Sequence, residues 1–201
     1  MKRKKRLVPY TLLMVEGFTE DLFYHRVKDL FHRRTPAKII NLEGNWNINQ
    51  KVLDEFENYQ RKNPEKKFRV FIAIDRESRT GFAPINMATI REELCASGLV
   101  RHKDLVLFEA IQDIESWFFH DVEGIFRFLR LEQKHRVPGK YTPVESLNNR
   151  DMSKLFELAD KDYRKGFASK NFIDNLDINL ILARCPVLGE LCKRMKETCP
   201  Q

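Results

Sequence analysis

The run Val70-Phe-Ile-Ala-Ile-Asp-Arg-Glu77 constrains this chain more than any other stretch. Its apolar, largely β-branched part has no polar residue alternating into it and is too short for a typical helix, so it predicts a strand buried on both faces, as in parallel sheets. Open α/β sheets bind ligands just beyond the carboxyl ends of their strands, and Asp75 and Glu77 fall there. A second run, Thr11-Leu-Leu-Met-Val15, ends the same way in Glu16-Gly17. The two strand ends are expected to face one another and to hold a divalent metal ion.

The rest of the first half alternates strand and helix patterns. Pro9 to Val15 is the expected first strand, and Gly17 permits a tight turn after it. Thr19 is expected to cap the next helix, with Glu20 and Asp21 in its first turn and Leu22, Phe23, Val27, Leu30 and Phe31 along one side. Lys38 to Leu42 reads as a second strand, and Asn47 to Tyr59 as an amphipathic crossover carrying Ile48, Val52, Leu53, Phe56 and Tyr59. Pro84 can open a helix that Gly98 ends, and Asp104 to Phe108 is the fourth strand. Strands and helices in alternation predict an α/β fold over residues 9–120: a mainly parallel, four-stranded Rossmannoid sheet flanked by helices, with right-handed crossovers.

Beyond residue 120 the strand signals fade. Val122, Ile125, Phe126 and Leu129 suggest one helix; Leu155, Phe156, Leu158, Ala159 and Tyr163 suggest another, and Ile178, Ile181, Leu182 and Cys185 a third. Pro186 would cost about 3 kcal/mol inside a helix, so it is expected to open a new segment carrying Leu188, Leu191, Cys192 and Met195. Residues 121–201 therefore read as a helical extension packed on the same domain, and residues 1–8 as a basic tail. Cys185, Cys192 and Cys199 recur every seven residues, one face of a helix, without the paired spacing and nearby His of a zinc site. Reduced, partly buried thiols are expected.

Lys and Arg number 36 against 29 Asp and Glu, a formal charge of +7 that suits a polyanionic partner such as nucleic acid. The basic start is followed by no apolar core of a secretory signal, and no run approaches the ~18–20 apolar residues of a membrane span. A cytoplasmic protein without membrane association is expected.

Acids converging on one cleft raise one another's pKa unless a cation sits among them, and oxygen ligands suit Mg2+ or Mn2+. Phosphodiester cleavage uses such a cation to offset charge on the attacking and leaving oxygens. Leu12-Leu-Met-Val-Glu-Gly-Phe-Thr-Glu20 closely resembles the first motif of Toprim domains, in which a Glu-Gly pair follows the first strand, and Asp75-Arg-Glu77 sits where that family has its Asp-x-Asp motif. Ile114-Glu-Ser-Trp-Phe118, together with the stretch from Ile181 to Leu191 and its Arg-Cys-Pro, resembles the small Toprim-related proteins of the DUF4276 family. These are similar to the nuclease half of the OLD (overcoming lysogenization defect) proteins.

The resemblance implies a Toprim-like fold and a metal-dependent nuclease cutting DNA or RNA, an effector in a bacterial anti-phage or genome-conflict system. It implies Glu16, Asp75 and Glu77 as catalytic residues, and Glu16, Glu20, Asp75, Glu77 and Glu115 as ligands of Mg2+ or Mn2+, with Asp113 next. Glu77 departs from the family's second Asp by one methylene. Arg76, Arg79, Lys165 and Lys170 are the expected substrate contacts. The OLD likeness implies a separate ATPase subunit, since no Walker A motif occurs here, and leaves room for a homo-oligomer. The alternative is a non-catalytic Toprim-like subunit that binds nucleic acid or serves as an adaptor. A receiver-like phosphoacceptor ranks last, because Glu16 is followed by Gly17 where receivers have an acidic pair.

Overall fold

Four strands, β1 (Tyr10–Val15), β2 (Ala37–Asn41), β3 (Phe68–Asp75) and β4 (Val100–Ala110), form one all-parallel sheet in the order β2-β1-β3-β4. The computed structural model describes residues 9–30, 37–76 and 84–196. The basic tail, Phe31, Glu77, Arg79 and Cys199 lie outside the described residues.

β3 is buried at every position, which is why its sequence shows no alternation. Phe71 and Ala73 enter the core on one face, and Val70, Ile72 and Ile74 the core on the other. The second face is covered by α2 (Ile48–Lys62) through Ile48, Val52 and Phe56, and by α3 (Met87–Ala96) through Ile90 and Leu94. The first face is covered by α1 (Phe18–Asp29) through Phe23, Tyr24 and Val27, together with helices from the second half of the chain. These are α4 (Glu115–Phe118), α5 (Val122–Leu129), α6 (Asn149–Glu157), α7 (Lys170–Asp174), α8 (Ile178–Arg184) and α9 (Pro186–Lys196). Among the described residues no helix is long and apolar enough to cross a membrane.

The path through the sheet positions the site. From β1 the chain steps outward through α1 to β2, then crosses back over β1 through α2 to β3. The direction of winding reverses between β1 and β3, and the carboxyl ends of these neighbours flank the crevice that such a switch point leaves open.

Several boundaries differ from the sequence reading. Thr19 does not cap α1: Gly17 holds the N-cap position, and Thr19 lies buried inside the helix, where its Oγ1 accepts the backbone N–H of Gly166 at 2.8 Å. β4 starts at Val100, not Asp104. α6 stops at Glu157, so Tyr163 belongs to a loop and not to the helix its spacing suggested. Cys185 caps α8 while Cys192 lies in α9, so the seven-residue spacing spans two helices; both thiols are buried and free.

Two buried polar residues tie the second half of the chain together and to the sheet. Arg69 of β3 donates to the carbonyl of Arg194 near the end of α9 and to Thr11 Oγ1 of β1, each at 2.9 Å. Asp121 accepts the N–H of Gly124 at 3.0 Å, capping α5, and the N–H of Asp177 at 2.8 Å, the residue that itself caps α8. A Cβ on Gly124 would overlap this pinned carboxylate. Gly124→Ala is therefore expected to destabilise the protein by about 2 kcal/mol, through loss of the cap and a displaced buried hydrogen bond. Urea unfolding checks this, and an unchanged midpoint would refute it.

Candidate functional site

Glu16 follows β1 directly and Asp75 ends β3, and the pairing of those two strands brings the residues together. The Glu16 carboxylate accepts the backbone N–H of Asp75 through Oε2 at 3.1 Å. Gly17 leaves room for a third acid, since a Cβ there would stand 3.1 Å from Glu20 Oε2. Glu20 sits in the first turn of α1 and is 6% exposed.

The neighbouring strand supplies two more. After β4, Gln112 takes a left-handed φ of 67°, turning the chain so that Asp113 and Glu115 enter the same neighbourhood. Asp113 Oδ2 accepts the N–H of Asn149 at 2.9 Å. Its Oδ1 is buried without a hydrogen-bond partner among the described residues. Glu115 is fully buried; Tyr163 donates its hydroxyl to Oε1 at 2.9 Å, and Lys165 Nζ stands 3.1 Å from Oε2. That second contact is an ion pair and lacks hydrogen-bond geometry.

Burial and crowding act together on these acids. Burial, then the charges of Glu20, Glu115 and Glu16, pushes Asp75 well above the usual carboxylate range against the opposing Lys165. Burial likewise raises Glu20 to about 7, helped by Glu115 and Glu16 and opposed by a backbone hydrogen bond and Lys165. Asp113 rises to about 6 through burial and the charge of Glu115. For Lys165, burial works to release the proton, but Glu115, Asp75 and Asp113 outweigh it, so the ammonium is held above its ordinary range. One cation thus serves several crowded carboxylates.

The groups open onto a cleft of about 400 Å³ lined by Glu16, Asp75, Asp113 and Lys165, together with Gln112, Asn148, Asn149 and Arg150. Glu20 and Glu115 are buried among the same groups. Arg76 and Lys170, expected as substrate contacts, are not brought there: Arg76 pairs with Glu109 at 3.4 Å, and exposed Lys170 with Asp174 at 2.5 Å. A neighbouring-strand carboxylate claims the first, and an i,i+4 partner on α7 the second. Glu77 and Arg79 lie outside the described residues.

Sequence reasoning missed Tyr163, Gln112, Asn148, Asn149 and Arg150. The signal for the Asn pair was present: Asn148 three residues before Asp151 reads as a capping box, and the structure forms that box at the start of α6.

The donor set has the chemistry that hard divalent cations prefer. All its atoms are oxygens, one of them orphaned and buried, and the elevated pKa values mark a place short of positive charge. Among the described residues the carboxylates are not drawn into a finished three-ligand metal cage, and the Lys165 ammonium lies among them.

Compared with known proteins, no curated protein and no solved structure matches the chain. Residues 15–196 match the family described as Domain of unknown function (DUF4276). The match begins at the last residue of β1 and takes in every acid of the cleft, Lys165, and the helices that close the first face of the sheet. The chain belongs to the DUF4276 family.

Proposed function

We propose that the protein is a divalent-metal-dependent nuclease of the Toprim type, hydrolysing phosphodiester bonds in DNA or RNA. The observation that carries this reading is the meeting of Glu16 and Asp75 at the sheet's switch point, where burial and neighbouring acids hold Asp75 well above its ordinary pKa. The likeness of the Glu16-Gly17 and Asp75 segments to Toprim motifs supports it. Asp75, Glu16 and Glu20 would hold Mg2+ or Mn2+, with Asp113 and Glu115 as further oxygen donors. Such an ion, when bound, supplies positive charge at the scissile phosphate and lowers the pKa of a water.

The chain's own residues supply the rest. In the metal-free cleft Glu20 has its pKa raised to about 7, and a bound dication would draw it back to the ionised form that a ligand needs. Lys165, firmly protonated, and Arg150 offer positive charge to phosphate oxygens inside the cleft. Asn148 and Asn149 add uncharged polar groups that can orient a substrate. The likeness to OLD proteins extends the proposal to an effector of phage defence acting with a separate ATPase.

One observation favours the second reading, a non-catalytic nucleic-acid-binding or adaptor subunit: Lys165 already neutralises Glu115, as a built-in counter-ion would. The deciding experiment incubates the purified protein with single- and double-stranded DNA and RNA under Mg2+ or Mn2+, with and without EDTA. Cleavage that EDTA abolishes is expected. Intact substrates throughout, from a protein shown to be folded, would sink the nuclease reading and leave the adaptor.

A further inference from the structure

Three aromatic rings stand exposed on segments that adjoin the acidic cleft: Trp46, in the turn after β2, at 80%, Phe167, in a helical turn after Lys165, at 67%, and Phe18, at the start of α1, at 38%. Trp117, by contrast, is 6% exposed. Leaving rings of this size in water forgoes the large hydrophobic gain of burying them.

Each ring is rooted in a residue of the site. Phe18 comes two residues after Glu16, and Phe167 two after Lys165; their rings lie 4.4 Å apart, centroid to centroid, at 41°. The hydrogen bond from Gly166 to Thr19 Oγ1 locks the two segments together. Trp46 rides on the turn after β2, the strand beside β1. That turn is fastened to the site by the Gly44 N–H, which donates to the Glu16 carbonyl at 2.7 Å, and to α2 by Lys51 Nζ, which donates to the carbonyls of Glu43 and Gly44 at 3.0 and 3.1 Å. Glu43 and Asn47 hold left-handed φ of 55° and 54°, conformations that side-chain-bearing residues seldom adopt. A strained, bolted turn that ends in an exposed Trp is a display.

Charge on the same rim identifies what is displayed to. Arg164, Lys165 and Lys170 lie within three residues of Phe167. Among the described residues Arg164 pairs with exposed Asp162 and exposed Lys170 with half-buried Asp174, and such surface pairs exchange readily for phosphate. Rings interleaved with cations suit a strand whose bases are free to stack and whose backbone is anionic. A duplex keeps its bases stacked on one another and offers only its phosphates.

We propose that this rim binds unpaired nucleobases, with Trp46 and the Phe18–Phe167 pair as stacking platforms, so that the cleft works on single-stranded nucleic acid. The proposal rests on the nuclease reading for what happens in the cleft, but its test does not. Trp46 is the reporter, because Trp117 is buried. In EDTA, where nothing is cut, acrylamide quenching and fluorescence titration are measured with an oligothymidylate of about 15 nucleotides, with an abasic strand of equal length, and with a duplex.

The oligothymidylate is expected to shield Trp46 from acrylamide and to bind about 10-fold or more tighter than either comparison. Trp46→Ala and Phe167→Ala, read by anisotropy of a labelled strand, should each weaken oligothymidylate binding about 5- to 30-fold and leave abasic-strand binding unchanged. Both side chains are exposed, so the variants should unfold at the wild-type urea midpoint. Equal affinity for all three probes, or variants that bind like wild type, would overturn the proposal, and a rim that serves a protein partner would give that result. A chain that stacks bases yet never cuts would keep this inference and lose the nuclease reading; one that cuts duplexes with both variants fully active would do the reverse.

Discussion

Asp75→Asn is expected to lower phosphodiester cleavage by about 10³-fold or more, equivalent to about 4 kcal/mol of transition-state stabilisation, while making the metal-free protein more stable at pH 8. The two effects share one cause. The Asp75 carboxylate is buried at the end of β3 among Glu16, Glu20 and Glu115, and its charge is costly there. Asn keeps the shape, removes the charge, and with it the proposed cation ligand. The backbone N–H that donates to Glu16 is untouched by the change, so the β1–β3 junction should survive. Single-turnover cleavage and urea midpoints in EDTA measure the pair of outcomes. An Asp75 kept for structure alone would show the opposite pair, unchanged cleavage and a weaker fold, and that result would remove it from the site.

The site divides into what local pattern reveals and what only the folded chain assembles. Glu16 and Asp75 were visible because an acid after an unbroken apolar run marks a strand's carboxyl end, and strand-helix alternation puts such ends on one side of a parallel sheet. Their adjacency follows once β3 pairs with β1. The hydrophobic runs marked the existence of all four strands for the same reason, but not their limits: β4 begins at Val100, before its apolar run, and α3 at Met87 behind an Asn86 cap and not at Pro84. Glu115 was suggested by motif, but its partners were not: Tyr163 and Lys165 lie on a loop about 50 residues further on, which no helical or strand period describes. Tyr163 was drawn into a helix because Leu155, Phe156 and Ala159 share its apparent spacing, yet α6 ends at Glu157 and Leu158 is exposed. Thr19 looks like a cap locally and is instead an acceptor for Gly166, 147 residues away in sequence. Arg76 and Lys170 stand outside the cleft lining, each beside an acid, Glu109 and Asp174, that charge alone could not have named. Arg69 shows the converse, a charged residue in a buried strand whose partners Arg194 and Thr11 come from the far end of the chain and from β1.

Without added metal, the protein is expected to lose stability, on the order of 3 kcal/mol or more, as pH rises from about 4.5 to about 7, and Glu20→Gln should make that loss measurably smaller. The folded-state pKa of Glu20 is raised from 4.5 to about 7 by burial and by the charges of Glu115 and Glu16. Between those values the folded protein keeps a proton that the unfolded chain has released, so folding is favoured at the acid end and progressively less as pH climbs. Asp113, raised to about 6, and Asp75, raised well above its ordinary range, push in the same direction. A Glu that merely complements the N-terminus of α1 predicts the reverse sign: its charge would stabilise the helix by about 0.3–1 kcal/mol, and Gln would weaken the fold at pH 8. Urea unfolding of wild type and Glu20→Gln at intervals from pH 4.5 to 8 in EDTA separates the two. Adding Mg2+ or Mn2+ at pH 8 should then restore wild-type stability, by about 2.7 kcal/mol at a free concentration 100 times the dissociation constant, with Asp75→Asn unresponsive. A flat pH profile in the wild type, or equal metal stabilisation of wild type and Asp75→Asn, would place the cation somewhere other than among these acids.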